Sequence, residues 1–266
     1  MRKKVLILFV VIVMIAATAI PAAAITWGEP DTEHTNVGAM VFDRPDYGPW
    51  QVCSGTLIHP RVFLTAGHCT EGWDLESDTI WVNFDQDAVN ESTLLEVVDV
   101  ITHPDYWWGP TSNPHDVGVL ILAEAVVGIP PANLPDEGFL NSLKKEGKLR
   151  QGSNGAKFTM VGYGGILDWP PPDITYDDQR QFSMSEYQAL LKSWLRLSQN
   201  RATGDGGTCY GDSGGPAFWT EPDGTEILVG ITSWGDANCI AAGFNYRVDI
   251  PDTLDFIANV ISDIGD

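Results

Sequence analysis

A serine flanked by glycines is the residue in this sequence whose surroundings most directly predict chemistry. It lies in the string Gly211–Pro216, which reads GDSGGP. A serine hydroxyl is a weak nucleophile at neutral pH, so a catalytic serine needs a nearby base and donors for the developing oxyanion. Because glycines permit a sharp turn, we expect the backbone amides of Gly211 and Ser213 to form an oxyanion hole. The alternative is a glycine-rich turn with an incidental serine.

The string resembles the active-serine motif of the chymotrypsin-like (trypsin-fold) serine proteases, and two further motifs of that family are present. Leu64–Cys69 reads LTAGHC and resembles the family's LTAAHC motif, with Gly67 in place of the second alanine. Asp116–Leu120 reads DVGVL and is similar to the family's DIALL motif. The motifs follow one another in the order His, Asp, Ser, as in chymotrypsin. The resemblance extends from about Ile25 to the C terminus.

The resemblance implies a catalytic role for three residues. Ser213 would attack the scissile carbonyl and form an acyl-enzyme, while His68 would accept its proton and later deliver it to the leaving amine. Asp116 would hold the imidazole in the productive tautomer. Taken singly, His68 could be a core histidine and Asp116 a capping carboxylate. The other histidines lack such motifs, and we expect them outside the site, with His115 at the surface: His34, His59, His103 and His115.

The resemblance also places the substrate pocket. Ser233–Gly235 reads SWG and resembles the family strand whose backbone pairs with the substrate. Gly235 and Gly243 correspond to the pocket walls, where glycine leaves room for a large side chain. The predicted pocket residues are Gly207, Thr208, Ser233, Trp234, Gly235 and Gly243.

The floor of this pocket determines the predicted specificity. Gly207, six residues before the catalytic serine, stands where trypsin-like members have aspartate. Without a carboxylate there, a buried substrate cation would have no partner. We therefore predict an apolar preference (phenylalanine, tyrosine, leucine or methionine) over arginine or lysine. Asp205 and Asp236 lie nearby in sequence and could restore a basic preference.

The first residues predict a secretory signal peptide. A basic start at Arg2–Lys4, an apolar run over residues 5–20 and the small residues of Pro21–Ala24 are typical of such peptides. The alternative, a membrane anchor, needs about 20 apolar residues, and this run is shorter. We expect cleavage after Ala24, which would remove residues 1–24 and leave a secreted mature chain.

The expected mature N-terminus has a predicted partner. Ile25–Gly28 resembles the IVGG start of active family members, although Trp27 stands where the family has glycine. In the family, the free α-ammonium folds inward and pairs with the aspartate before the catalytic serine. The resemblance thus implies an ion pair between Ile25 and Asp212, because an unpaired buried carboxylate is costly.

Four cysteines in a secreted chain predict two disulfides, and the sequence alone allows three pairings. The alternative of a cysteine metal site lacks the usual close spacing of zinc ligands. The resemblance implies one pair between Cys53 and Cys69, beside the catalytic histidine. It implies a second pair between Cys209 and Cys239, which would brace the substrate pocket.

The charge of the chain restricts its partners. It has 36 acidic and 15 basic residues, a formal net charge of −21, which disfavours binding to nucleic acid or to anionic membranes. We predict a monomer that acts on a peptide or protein substrate and needs no metal or organic cofactor. The acidic residues in the region where some family members bind calcium are interpreted as a solvated face: Glu71, Glu76, Asp78, Asp85 and Asp87.

Short apolar segments separated by turn residues predict an all-β fold. The resemblance specifies two six-stranded antiparallel barrels with the active site between them. We assign the first barrel to residues 25–135, a crossover to residues 136–157, and the second barrel with a C-terminal helix to residues 158–266. A nearly continuous apolar run at Val117–Leu122 predicts a buried strand.

Two helices are predicted in the second half. A capping-box pattern predicts a short helix over Ser185–Lys192, followed by a strand at Trp194–Ser198. Apolar residues at helical spacing after Pro251 predict the C-terminal helix.

Three functions are consistent with the sequence. The favoured one is an active secreted endopeptidase, because the triad and the glycine string are complete. The first alternative is a catalytically silent binding protein with the protease fold, although such proteins usually lose a triad residue. The second is an esterase or a processing protease of narrow specificity, which would share the triad chemistry and differ only in substrate.

Overall fold

The computed structural model of the protein describes residues 25–44, 48–109, 111–152, 155–168 and 173–265. The predicted signal peptide, residues 1–24, lies outside the described residues. Within the described part of the chain, no helix is long and apolar enough to cross a membrane.

Short strands dominate the described structure. In chain order they are β1 (Glu29–Pro30), β2 (Val37–Arg44), β3 (Gly48–His59), β4 (Val62–Thr65), β5 (Thr79–Asn83), β6 (Leu95–Thr102), β7 (Gly118–Leu122), β8 (Lys157–Gly162), β9 (Ile166–Asp168), β10 (Asp173–Thr175), β11 (Gln181–Leu190), β12 (Trp194–Ser198), β13 (Pro216–Thr220), β14 (Glu226–Gly235) and β15 (Ala242–Arg247). The α-helices are α1 (Gly67–Thr70), α2 (Phe139–Lys145) and α3 (Pro251–Ile264), with single 3₁₀ turns at Glu91–Thr93 and Arg201–Thr203.

Strands β2 to β7 form the first antiparallel barrel, closed in the order β2-β3-β4-β7-β6-β5. The apolar strands β4 and β7 are buried along their whole length, as expected for strands covered on both faces. They pair with Thr65 opposite Gly118. This pairing brings the residues that follow β4 next to the residues that precede β7.

The second barrel runs in the order β11-β12-β15-β14-β13-β8, and the pairing of β11 with β8 closes it. Strand β1 extends this sheet by pairing with β11, and β9 and β10 form a separate two-stranded sheet. Val161, Phe218 and Tyr246 of this barrel belong to the same buried apolar cluster as residues of the first barrel. The predicted fold of two six-stranded barrels is confirmed.

The predicted helix over Ser185–Lys192 is wrong, because most of this segment belongs to strand β11. Alternate residues of the strand are buried, including Ser183 and Ser185, which is the periodicity of a strand. Ser185 lies opposite Phe158 in the pairing with β8, and its hydroxyl donates a hydrogen bond of 2.7 Å to a backbone carbonyl. The serines that resembled a helix cap are both buried in the barrel, and strand pairing overrides the local signal.

The C-terminal helix is confirmed as α3. Pro251 occupies its first turn, where the missing N–H group is not needed for the helix. Phe256, Ile257 and Val260 pack into the apolar cluster that includes the first barrel. The helix therefore crosses from the end of the second barrel to the first.

Candidate active site

The ends of three elements carry the predicted catalytic residues. His68 lies in α1, directly after β4, and Asp116 lies just before β7, so the pairing of these strands places the two side by side. Ser213 lies in the turn before β13 of the second barrel. The turn is joined to the first barrel by the Ser54 amide, which donates a hydrogen bond of 2.8 Å to the Ser213 carbonyl.

Asp116 and His68 form a close pair. His68 Nδ1 lies 3.1 Å from Asp116 Oδ1 and 3.0 Å from Oδ2, and the backbone N–H of His68 donates to Oδ1 at 2.8 Å. A carboxylate only accepts, so Nδ1 carries the proton and Nε2 is left as the basic nitrogen. The Ser233 hydroxyl also donates a hydrogen bond to Asp116 Oδ2.

The environment of Asp116 keeps its carboxyl group ionised. The side chain is buried, with 2% of its surface exposed. Burial acts to raise the pKa of Asp116, but the hydrogen bonds from His68 and Ser233 and the charge of His68 outweigh it and hold this pKa below its usual value. The carboxylate can therefore stabilise a positive charge on the imidazole.

His68 and Ser213 face the same space. Both line a cavity of 340 Å³ on one side and a cavity of 430 Å³ on the other. Among the described residues, their side chains share no hydrogen bond. Catalytic contacts are commonly long before substrate binds, so this geometry is compatible with proton transfer from serine to histidine.

The glycine turn has the backbone geometry that the sequence predicts. Gly211 and Gly214 have φ angles of 97° and 84°, a region that favours glycine. The Gly211 carbonyl accepts hydrogen bonds from Gln51 Nε2 at 2.7 Å and from Ser54 Oγ at 3.0 Å. Within the described chain, the amide N–H groups of Gly211 and Ser213 donate to no protein acceptor. Their role as an oxyanion hole stays a prediction.

Gln51 and Ser54 were not identified from the sequence. Both lie on β3 and reach across to the serine turn from the first barrel. No local motif marks them, because their role depends on the packing of one barrel against the other. Polar residues in an otherwise buried strand are the signal that could have suggested an internal contact.

Asp212 is completely buried. Its carboxylate accepts hydrogen bonds from the backbone amides of Cys209, at 2.7 Å, and Gly164, at 2.8 Å. Burial nevertheless raises the pKa of Asp212 to about 7, and among the described residues no cation pairs with it. This carboxylate occupies a site that would be stabilised by a positive partner.

The N-terminal segment lies against the loop that leads to Asp212. Ile25 is fully buried, and the Gly207 amide donates a hydrogen bond of 3.0 Å to the carbonyl of Thr26. The structure thus buries Ile25, and the residue after it contacts the loop that leads to Asp212. The ion pair itself requires a free amino group at Ile25 and stays a prediction.

The cavity of 340 Å³ beside Ser213 contains four of the predicted pocket residues, Thr208, Ser233, Trp234 and Gly235. Within the described part of the chain, Gly207 and Gly243 do not line it. A Cβ atom at either glycine would instead meet the side chain of Gln199.

The two nearby acidic residues are already engaged. Asp205 Oδ1 lies 3.3 Å from Lys157 Nζ, and Asp205 lines a different cavity from Ser213. Asp236 lies at the cavity of Ser213 and accepts hydrogen bonds from three backbone amides, those of Ile240, Ala241 and Ala242. Burial acts to raise the pKa of Asp236, but these hydrogen bonds hold it below its usual value.

A second, aromatic cavity adjoins the first. It has a volume of 530 Å³ and its walls include Tyr106, Trp108, Trp194 and Trp234. Trp234 stacks on Phe244 with ring centroids 3.7 Å apart. Sequence reasoning missed this surface, although the adjacent exposed tryptophans at positions 107 and 108 could have suggested it, since exposed aromatic side chains are typical of binding surfaces.

Both disulfides implied by the resemblance are formed. Cys53–Cys69 joins β3 to α1, the helix that carries His68. Cys209–Cys239 joins the segment before Ser213 to the loop between β14 and β15. Each disulfide therefore stabilises a wall of the cleft.

His115, expected at the surface, is partly buried, with 21% of its side chain exposed. Its Nδ1 lies 2.7 Å from Asp252 on α3, and its ring stacks on His103 with centroids 4.8 Å apart. In the described chain, potential metal ligands of His103, Asp105 and His115 lie within 4.8 Å of one another. Nδ1 of His103 already accepts a hydrogen bond from the Asp105 amide, and Nδ1 of His115 contacts Asp252. Both nitrogens are therefore used in protein contacts.

Comparison with known proteins agrees with this architecture. The family model described as Trypsin matches residues 25–257, which include both barrels and every predicted site residue. Serine protease 28 of Mus musculus is 24% identical to this chain over 225 residues. That alignment covers 72% of this chain and 77% of the mouse protein.

Proposed function

Because this chain belongs to the trypsin family of serine proteases, we propose that it is a secreted serine endopeptidase that uses His68, Asp116 and Ser213. The observation that carries the proposal is the pair formed by Asp116 and His68 Nδ1, with Ser213 lining the same cavities as His68. The family acts on peptides and proteins, so a peptide bond is the expected substrate.

The contacts support a reaction in two stages. With Nδ1–H held by Asp116, Nε2 of His68 accepts the Ser213 proton as Oγ attacks the scissile carbonyl carbon. The oxyanion is stabilised by the amides of Gly211 and Ser213. His68 then protonates the leaving amine, and an acyl-enzyme on Ser213 remains. Water, deprotonated by His68, hydrolyses this ester and restores the serine.

An apolar specificity is part of the proposal. Gly207 supplies no carboxylate, and Asp205 pairs with Lys157 away from the cavity beside Ser213. A buried arginine or lysine side chain of a substrate would thus lack a deep counter-ion. Asp236 lies at the cavity, but backbone amides already bind its carboxylate. We therefore expect it to favour substrates with a basic residue before the scissile bond only weakly.

Secretion is proposed from the predicted signal peptide. Expression of the full chain in a secreting host should release protein that begins at Ile25. N-terminal sequencing of that protein tests the cleavage site, and protein retained in the membrane fraction with residues 1–24 attached would contradict it.

Hydrolysis of peptide amides that differ only in the residue before the scissile bond tests the activity. Cleavage after apolar residues should disappear in Ser213→Ala, with a loss of turnover on the order of a millionfold. Ser77→Ala, which removes an exposed serine, is the matched control and should leave activity unchanged. Preference for arginine or lysine would contradict the apolar specificity, and preference for esters alone would favour an esterase.

An organophosphonate that labels reactive serines distinguishes the silent alternative. An active site should be labelled once per chain at Ser213. Protein that begins at Ile25 yet shows neither labelling nor cleavage would overturn the proposed activity and favour a binding role.

A further inference from the structure

A buried glutamine lies beneath the cavity beside Ser213. Gln199 directly follows β12, and 2% of its surface is exposed. Its Nε2 donates hydrogen bonds to the Thr208 carbonyl at 2.7 Å and to Thr208 Oγ1 at 3.2 Å. Because a carbonyl oxygen only accepts, these contacts fix which end of the amide faces Thr208.

The glutamine fills the space that two pocket glycines leave empty and lies near a third. A Cβ atom at Gly207 would lie 2.6 Å from Gln199 Cβ and Cδ. A Cβ at Gly243 would lie 3.0 Å from Gln199 Nε2, and one at Gly235 would lie 3.6 Å from Oε1. These are the glycines that the sequence predicts as the floor and walls of the pocket. The missing side chains of Gly207 and Gly243 therefore make room for Gln199.

Gln199 lies behind the wall of the cavity and does not line it. Thr208 and Gly235 line it, whereas Gly207, Gly243 and Gln199 are absent from its wall within the described chain. Gln199 Oε1 is buried and, among the described residues, accepts no hydrogen bond. A polar atom sealed beneath the cavity indicates that the deep part of the pocket is occupied by protein.

We propose that Gln199 is a specificity-determining residue that closes the base of the pocket and restricts it to small aliphatic side chains such as alanine and valine. The inference rests on the proposed protease function and replaces the preference for large apolar residues, predicted from the sequence, with one for small aliphatic residues. A phenylalanine side chain would have to displace Gln199 and break both of its hydrogen bonds to Thr208. A small side chain fits above the amide without moving it.

Peptide amides with alanine, valine, leucine or phenylalanine before the scissile bond test this role. The wild-type protein should have the highest kcat/KM for alanine or valine. Gln199→Ala should open the pocket and raise the ratio of kcat/KM for phenylalanine over alanine by about tenfold or more. Gln199→Leu has a similar volume and should keep the wild-type order.

A matched control separates pocket opening from loss of a buried amide. Gln86 also donates from Nε2 to a backbone carbonyl, and its buried Oε1 has no partner among the residues that the structure describes, but it lies in the first barrel's β5–β6 connection. Gln86→Ala should leave the order of substrates unchanged. If Gln199→Ala does not fold, Gln199→Asn, which is one methylene shorter, should shift the same ratio in the same direction.

The outcomes separate this inference from the proposed function. Wild-type protein that cleaves after phenylalanine as well as after alanine, with no change in Gln199→Ala, would overturn the inference and leave the protease function intact. An equal shift in Gln199→Leu and Gln199→Ala would also overturn it, because filling the space would then not matter. Absence of both cleavage and serine labelling in the wild type would overturn the proposed function and the inference with it.

Discussion

The carboxylate of Asp252 lies 2.7 Å from Nδ1 of His115 and joins the C-terminal helix to the residue that precedes Asp116. Tyr246 donates a second hydrogen bond of 2.9 Å to the same Asp252 oxygen. His115 has a φ angle of 54°, which is unusual for a residue other than glycine. The contact with α3 therefore stabilises an uncommon backbone conformation beside the predicted catalytic aspartate.

Asp252→Asn should lower the free energy of unfolding by about 1 kcal/mol at pH 7, because hydrogen bonds to a charged group are stronger than those to an amide. Burial acts to raise the pKa of Asp252, but hydrogen bonds from Tyr246 and His115 hold it below its usual value. This stabilisation is present above the ordinary carboxyl pKa. It is lost as the pH falls through the lower pKa that Asp252 has in the folded state. The difference between variant and wild type should thus shrink below about pH 4.

Urea denaturation at pH 7 and pH 3.5 measures this difference. Asp255→Asn removes an exposed carboxylate from the same helix and is the matched control. Equal losses in the two variants at pH 7 would show that the contact with His115 does not stabilise the protein.

A second histidine, His34, should make the protein less stable at alkaline pH. Its Nδ1 lies 2.7 Å from Asp31 and its Nε2 lies 3.2 Å from Glu226. Burial acts to lower the pKa of His34, but the hydrogen bonds to these two carboxylates raise it to about 9. The folded state therefore binds this proton more tightly than the unfolded state. The resulting stability is complete below the ordinary histidine pKa and is lost as the pH rises through about 9.

His34→Gln keeps hydrogen-bonding capacity and removes the titration. Between pH 6.5 and pH 9.5, the wild type should lose on the order of 2 kcal/mol of unfolding free energy relative to this variant. Glu226→Gln removes one of the two carboxylates and should show a smaller pH dependence than the wild type. Parallel curves for wild type and His34→Gln would contradict the prediction.

The parts of this protein that the sequence predicted are those encoded by short local motifs. The motifs around His68, Asp116 and Ser213 identified the family, and the family implied both barrels and both disulfides. Strand β11 was missed because its buried serines have the spacing of a helix cap, although Ser185 hydrogen-bonds inside the barrel. Gln199 was missed for a different reason: it lies only a few residues before Gly207 in sequence, but no local motif indicates that its side chain turns back towards the pocket glycines.

The contact of His115 with α3 could not be predicted from the sequence either. Its partner Asp252 lies 137 residues away, and no local pattern connects them. Interactions of this kind are set by how the two barrels and the C-terminal helix pack. Short motifs therefore identify the family and its expected site residues, but not the residues that support them.

The last prediction concerns the amino group of Ile25 and the buried carboxylate of Asp212. In a chain that retains Ala24, burial raises the pKa of Asp212 to about 7. Such a raised pKa means that unfolding free energy falls as the pH rises from the ordinary carboxyl pKa towards 7. A chain that begins at Ile25 supplies an α-ammonium, so it should keep its stability up to the pKa of that group, about 8.

Unfolding free energies at pH 5 and pH 7 should therefore differ strongly in the chain with Ala24 and little in the chain that begins at Ile25. Because loss of one partner of a buried ion pair costs roughly 3–5 kcal/mol, the second chain should be the more stable at pH 7 by a margin of that order. Titration of Ser213 with an organophosphonate should also show more active sites in that chain. Asp212→Asn should remove the stability difference between the two chains. Equal stability of the two unsubstituted chains at pH 7 would instead mean that Asp212 takes its partner from elsewhere or remains protonated.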